Sequence, residues 1–354
     1  LAQENPSSEQ YFLSLWGLWV FHLVRGPLAK ACKLAESLLS WASQQQNQDL
    51  LIRAHESVGS TYSFLARFSE AKTHLYEAKS LYDPQRPRTQ VLPYTQDPGI
   101  TARIILARTL WIVGEVDEVE SLVAEAIAMA RELEHPFTLA FTLATASWIC
   151  STLRDTNRTL SLTEEAIMLS SKYSFEVPLA WAMSFQGWAL AEQGKENGLE
   201  RLLEGLSAAQ RAKASLNHTY TLALLAEIHL RNQRVAEGLS AIQEAQELAT
   251  TQGELCWQAE LLRLKGELLL AQSHQPIMEA EQCFSQALTI AQHQHAKMLE
   301  LRAAISMAKL LRKQSKPDTA RNILGSVRSR FSGKGINADL IEAQEVLEQL
   351  NTAT

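Results

Sequence analysis

Eight small residues, each flanked by large apolar ones, recur along the chain in near-constant step: Gly17, Gly59, Ala107, Ser147, Gly187, Ala226, Gly266 and Ala308. Their spacings are 42, 48, 40, 40, 39, 40 and 42 residues. A second signature, small/apolar-x3-apolar-x2-small/apolar, follows each of them by 12 residues, or by 14 in the first and seventh units. Its copies begin at Ala31, Ala71, Val119, Thr159, Leu199, Gly238, Ala280 and Ala320. Offsets of this kind place the three residues on one face of a helix. Each unit therefore reads as two amphipathic helices joined by a short turn. The small residue lets helix A approach its partner, and the second signature is the face of helix B that docks there. A chain built this way is all-α and has to stack its hairpins into a solenoid, because one hairpin cannot bury its own apolar face.

The unit around Gly59 gives the type: Val58-Gly59-x2-Tyr62-x8-Ala71-x3-Leu75-x2-Ala78, with Pro84 after it. It is similar to the tetratricopeptide consensus position by position. The expected fold is a right-handed tetratricopeptide-like superhelix forming a single domain over 9–350. Its eight repeats span 9–44, 50–83, 99–134, 137–173, 178–214, 217–252, 255–294 and 297–332, and a capping helix follows at 337–350. A period longer than the usual ~34 residues implies helices about one turn longer each. The stretch Arg86 to Gly99, with Pro87, Pro93 and Pro98, accounts for the one long spacing and reads as a loop.

Composition agrees with this pattern. Fifteen Gly and ten Pro in 354 residues are too few for a sheet-rich sandwich or barrel, which spends them on frequent turns. The prolines read as punctuation: Pro27, Pro276 and Pro317 fall between helices A and B, and Pro84, Pro136 and Pro178 between repeats. Gly17, Gly59, Gly187 and Gly266 read as packing anchors inside helices. Cys32, Cys150, Cys256 and Cys283 form no C-x-x-C pair, which argues against a disulfide framework or structural zinc and fits a reduced, cytoplasmic setting. The acceptor triplets at Asn157 and Asn217 stand alone as secretion signals. Tyr11 to Val24 is the most apolar stretch, but its fourteen residues fall short of a membrane span and include His22, so it reads as a buried helix. A start at Leu1 suggests a piece of a longer protein.

Several stretches resemble a bacterial family more narrowly: Gly187 to Gly194 (GWALAEQG), 222–230 (LALLAEIHL), 257–270 (WQAELLRLKGELLL) and 283–311. They are similar to the C-terminal tetratricopeptide region of large signalling proteins. Those proteins carry an AAA-type or STAND ATPase upstream, often preceded by a class III nucleotide cyclase. The resemblance implies a regulatory sensor or docking region. It transfers no catalytic residue, because this chain has no cyclase or ATPase motif.

A search for chemistry returns little. Gly333-Lys334-Gly335 lacks the glycine and the Ser/Thr of a phosphate-binding loop and reads as a turn before the cap. His293 and His295 are two apart and diverge on a helix, as do the adjacent Glu164 and Glu165. There is neither a G-x-S-x-G elbow nor H-E-x-x-H. No catalytic residue, metal ligand or cofactor site is expected, and the chain does not read as an enzyme. Glu115, Asp117, Glu118 and Glu120 fall where a helix B begins and complement its dipole. Residues 297–334 hold ten Lys/Arg against Glu300 and Asp318, a local charge of +8 in a chain of net −6. These cations are spread around two helices without interleaved aromatics, which argues against nucleic acid and for a partner domain or a solvated surface.

In tetratricopeptide arrays the A helices line the concave face at repeated positions. Carried over by resemblance, those positions give Ile104, Arg108 and Trp111 in the third repeat, and Phe141 and Trp148 in the fourth. The fifth supplies Trp181, Ser184 and Trp188, the sixth Tyr220 and Glu227, the seventh Arg263 and Glu267. Phe141/Trp148 and Trp181/Trp188 are two turns apart, so neighbouring helices would stack these rings into a band. Two consequences are open. The band forms a recognition groove for a peptide segment or protein partner, which includes a linked ATPase or cyclase domain, or tight curvature buries it as core. A second function class is a sensor holding a small-molecule inducer inside the superhelix. Oligomeric state is not legible.

Overall fold

The computed structural model describes residues 8–45, 47–84, 96–274, 276–331 and 338–352. Among them the chain is helical throughout, with no strand. Sixteen helices form eight A/B hairpins: α1 (Ser8–Arg25) with α2 (Leu28–Gln45), α3 (Gln48–Phe64) with α4 (Phe68–Leu81), α5 (Pro98–Val113) with α6 (Val119–Glu132), and α7 (Pro136–Thr152) with α8 (Thr156–Tyr173). The array continues as α9 (Glu176–Glu192) with α10 (Gly198–Arg211), α11 (His218–Arg231) with α12 (Val235–Gln252), α13 (Gln258–Leu270) with α14 (Ile277–His293), and α15 (Lys297–Lys313) with α16 (Pro317–Arg328). A last helix, α17 (Ala338–Thr352), covers the eighth hairpin.

The small-residue register has a direct physical cause at three of the four glycines. A methyl group on Gly59 would fall 2.6 Å from Cγ of Leu75, and one on Gly266 would fall 2.4 Å from the Phe284 ring. At Gly187 it would strike the backbone nitrogen of Leu202 at 2.3 Å. Gly17 departs from the expectation, because nothing lies within 4 Å of that position and the residue is exposed. In the fifth unit the docking face is shifted by one residue. Leu203 is 43% exposed, whereas Gly198, Leu202 and Gly205 are buried against α9. These glycines bring the two backbones closer than an apolar side chain would allow, so the helix turns its next ridge inward.

Side-chain caps start several helices. Asn47 accepts from the amides of Asp49 and Leu50, and Asp155 from that of Arg158. Asp97 accepts from Ile100 N with Pro98 in the first turn, so the expected loop ends at 97 and Gly99 is already helical. The rest of that loop, 86–95, lies outside the described residues, as do Gly333-Lys334-Gly335 and residue 337 of the expected cap. The apolar stretch 11–24 forms α1 but is buried on one face only. Phe12, Trp16, Trp19 and Leu23 are inside, while Tyr11, Leu18 and Phe21 are exposed. No described helix is long and apolar enough to cross a membrane.

The superhelix closes on itself after five repeats. Val24 O, at the end of α1, accepts from Ser215 N (2.8 Å) and Leu216 N (3.1 Å), just ahead of α11. One repeat on, Phe64 O accepts from Leu255 N (3.0 Å) and Cys256 N (3.3 Å), just ahead of α13. Another repeat on, Gly114 abuts Phe331 and Lys297 of the eighth hairpin. With so tight a pitch the A helices enclose a narrow axial interior, and the size of their inward side chains decides whether it is filled.

Candidate functional site

Most of the residues expected along a groove are packed inside that interior. Trp148 is 1% exposed and stacks between Phe64 and Phe185, with ring centroids at 6.2 and 6.3 Å. Tyr220 and Trp257 stack at 4.2 Å and both meet Trp148, at 5.9 and 6.1 Å, and Trp257 also meets Trp111. Arg108 is buried with its guanidinium over Phe64 (4.1 Å) and Trp148 (4.6 Å), and one of its nitrogens donates to Ser63 Oγ. Ile104, Ser184 and Trp188 are buried as well. This corrects the picture of an open groove at Arg108, Trp111, Ser184, Trp188 and Tyr220. Closure in five repeats leaves these positions no concave face and makes them core. The band also differs in its pairing. Phe141 meets Trp181 at 5.8 Å, but Trp148 stacks on Phe185, and Trp188 sits under Arg154 instead.

Glu227, Arg263 and Glu267 belong to an ionic cluster in the C-terminal half. Arg154 pairs with Glu227 at 2.7 Å, and Arg263 with Glu260 at 2.8 Å and Glu267 at 3.9 Å. Arg302 bridges Glu260 (3.5 Å) and Asp339 (3.0 Å), donates to Thr152 O and lies over Trp111. Burial alone would raise the Glu260 carboxyl, but Arg263 and Arg302 outweigh it and hold the group at about 2. These charges satisfy one another.

Among the described residues an opening lies in the N-terminal half, where a cavity of about 350 Å³ runs between α1, α3, α5, α7 and α9. Its rim is mostly apolar and partly exposed: Val20, Phe21 and Val24 from α1, Phe137 and Phe141 from α7 and Val177 from α9, with Arg25 and Gln96 beside them. Its floor is buried and includes Phe64, Ile105, Thr145, Trp148 and Trp181, with Glu56 and Ser60 of α3. Ser60 Oγ donates to Glu56 Oε1 at 2.8 Å. Burial pushes the Glu56 carboxyl up to about 7. Of the residues named from the sequence, Phe141, Trp148 and Trp181 line this cavity, and Arg108 backs its wall through Phe64 and Trp148.

Glu56 and Ser60 were missed although the signal for them was present. The positions that gave Ile104, Arg108 and Trp111, and Phe141 and Trp148, applied to the repeat around Gly59, yield Arg53, Glu56, Ser60 and Ser63. All four are buried. Gly17, which packs against nothing, lines the same cavity.

Four of the ten cations at 297–334 are ion-paired among the described residues. Lys309 pairs with Glu342 of α17, Arg330 with Glu300, Arg321 with Asp318, and Arg302 is the centre of the buried cluster. Among the described residues no group of three His, Cys, Asp or Glu side chains is placed to hold a metal ion, and the four cysteines are free.

No protein-family model matches the chain, and no curated protein matches it. Among solved structures it is similar to a Rap protein complexed with Competence and Sporulation Factor. The TM-score is 0.62 at 11% identity, and the match covers 98% of each chain. It is also similar to Cut9 in the APC/C hetero-tetramer Cut9–Hcn1, with a TM-score of 0.56 at 12% identity; that match covers 99% of this chain and 57% of the other. At such identities the likeness is one of fold: a TPR-like helical solenoid.

Proposed function

We propose that the chain is a binding module whose N-terminal cavity receives a short peptide segment of a partner, and that it has no catalytic role of its own. The observation that carries this reading is the contrast within one interior. Among the described residues the C-terminal interior is occupied by stacked rings and paired charges, while the space under Phe141 and Trp181 is open and lined by apolar groups with a few polar ones at its floor. That composition and a volume of about 350 Å³ belong to ligand sites. The Rap structure, of matching length and fold, carries a bound factor, which supports the reading as a precedent for the fold. The small volume also favours a second reading, an inducer molecule in place of a peptide side chain.

Occupancy would be transmitted along the array, because the walls of the cavity are the A helices that set the superhelical pitch. In the signalling proteins that 187–311 resembles, the listener would be a linked ATPase or nucleotide cyclase. The test is a peptide selection on the wild-type chain, with the recovered peptides re-measured on Val177→Trp, which plugs the mouth from a half-exposed position. Loss of binding on the plugged variant, with an unchanged helical spectrum, supports the cavity. Equal binding to both would place the site elsewhere.

A further inference from the structure

Glu56 differs from the other buried carboxylates of the interior. Glu260 has two arginines, and Glu254 accepts from Asn217 N and faces Arg108. Glu56 takes one hydrogen bond, from Ser60 to Oε1. Among the described residues Oε2 has no hydrogen-bond partner and no cation stands within 4.0 Å of the carboxylate. The charges that face it come from three elements. Arg53, one turn earlier on α3, is drawn aside over the Trp16 ring at 4.9 Å, and Asp97, ahead of α5, carries the opposite sign. Arg25 of α1 stands at the exposed rim, its guanidinium near Ala212 O (3.4 Å) and the Phe21 ring (5.4 Å). Arg53 is the nearest compensating charge, partly offset by Asp97, and Arg25 is screened by solvent. An ionised Glu56 is thus a buried anion with no direct ion pair among the described residues, a costly arrangement that a cationic occupant would relieve.

The walls point the same way. Phe64, Phe141, Trp148 and Trp181 line a chamber closed at its floor by a single carboxyl group. Aromatic faces attract cations, most strongly where water is excluded, and they hold apolar stems equally well. A carboxylate ligand would meet like charge at Glu56.

We propose that the cavity selects a cationic amine borne on an apolar stem, with Glu56 as its counter-charge and the aromatic walls as the seat of the stem; this rests on the cavity being the binding site proposed above. Affinity then depends on pH through Glu56, which is neutral when protonated and attractive when ionised. Binding strengthens as pH rises through about 7, while the amine stays charged.

The experiment titrates the full chain with 4-phenylbutylamine and with its neutral counterpart 4-phenylbutan-1-ol, near pH 8 and near pH 5.5, for wild type, Glu56→Gln and Val177→Trp. A parallel arm uses acetyl-Ala-Phe-Lys-Phe-Ala-amide against the same peptide with norleucine for lysine. The expected result is a preference of about tenfold for the amine on wild type near pH 8. It shrinks near pH 5.5 and is absent in Glu56→Gln. The pH comparison on wild type needs no variant and stands even if Glu56→Gln folds poorly. A lysine preference among the peptides supports the proposal with a peptide as the source of the amine; a preference confined to the small amine supports it with a small molecule as the source. Equal affinity for amine and alcohol on wild type, with both lost on Val177→Trp, overturns the charge selection and leaves the cavity as a site. Failure of all four probes to bind overturns both readings.

Discussion

The two halves of this solenoid share one repeat and one superhelical pitch but fill their interiors differently. From Tyr220 onward the inward positions carry Tyr220, Glu227, Glu260, Arg263 and Arg302, long side chains that reach across the axis and satisfy one another. In the N-terminal half the corresponding positions mix long side chains, Arg53, Glu56, Arg108, Phe141 and Trp148, with short ones, Ser60, Thr101 and, one position on, Thr145, and the short ones leave a chamber in the same architecture. The closure hydrogen bonds are alike at both levels, Val24 O to Ser215 N and Phe64 O to Leu255 N, so backbone geometry does not explain the difference. Side-chain volume at a few inward positions decides whether such an array has a site.

The comparison can be broken most sharply at Trp148, the residue common to both regions. Trp148→Ala removes a fully buried ring from four aromatic neighbours and should cost about 3–5 kcal/mol, read as a large drop in the unfolding midpoint. A loss under about 1 kcal/mol would mean that the ring is a mobile part of the site.

Arg302→Met tests the filled half alone. It removes the cation that Glu260 and Asp339 share, leaving Glu260 with Arg263, and breaking a buried pair on one side costs about 3–5 kcal/mol. Chemical denaturation should show the loss. A neutral result would mean that water reaches the cluster.

Two of the buried carboxylates, Glu56 in the open half and Glu260 in the filled half, should also answer oppositely to pH. Glu56, and Glu254 beside Arg108, are held by burial at about 7 against an ordinary 4.5, so the folded chain binds more protons than the unfolded one between those values. Stability from this source falls as pH rises through that window. Glu260 sits at about 2, so its contribution is present above 4.5 and is lost as pH falls toward 2. Glu56→Gln should therefore raise the thermal midpoint by a few degrees near pH 8 and leave it unchanged near pH 4. Glu260→Gln should lower it at neutral pH and matter least in acid. Matching profiles for the two variants would contradict the assignment.

The smallest effect is expected at the rim. Phe141 is half-buried, and Phe141→Ala should cost about 1 kcal/mol in stability while weakening any cavity ligand far more. A stability loss as large as that of Trp148→Ala would make the rim part of the core.

The register of hairpins was legible because it depends on local contacts: Gly59 against Leu75 and Gly266 against Phe284 are neighbours within one unit. The face of α10 was read one residue out, because Leu199 and Leu203 are as apolar as the true inner set, and only the backbone approach at Gly187 and Gly198 distinguishes them. The site was partly legible. Phe141, Trp148 and Trp181 do line the cavity, but which inward residues are open depends on contacts five repeats apart, such as Phe64 with Cys256, and no period in the sequence encodes that pitch. Phe185 and Trp257 were missed for the same reason.

The central claim is that one half of the interior is open and the other filled, and xenon tests it without reference to any ligand. Apolar cavities of this kind take up xenon, whereas packed cores do not. Crystals pressurised with xenon should show density among Phe64, Ile105, Phe141 and Trp148 and none among Tyr220, Trp257 and Arg302. Xenon in the C-terminal interior, or none beneath Phe141, would contradict the account.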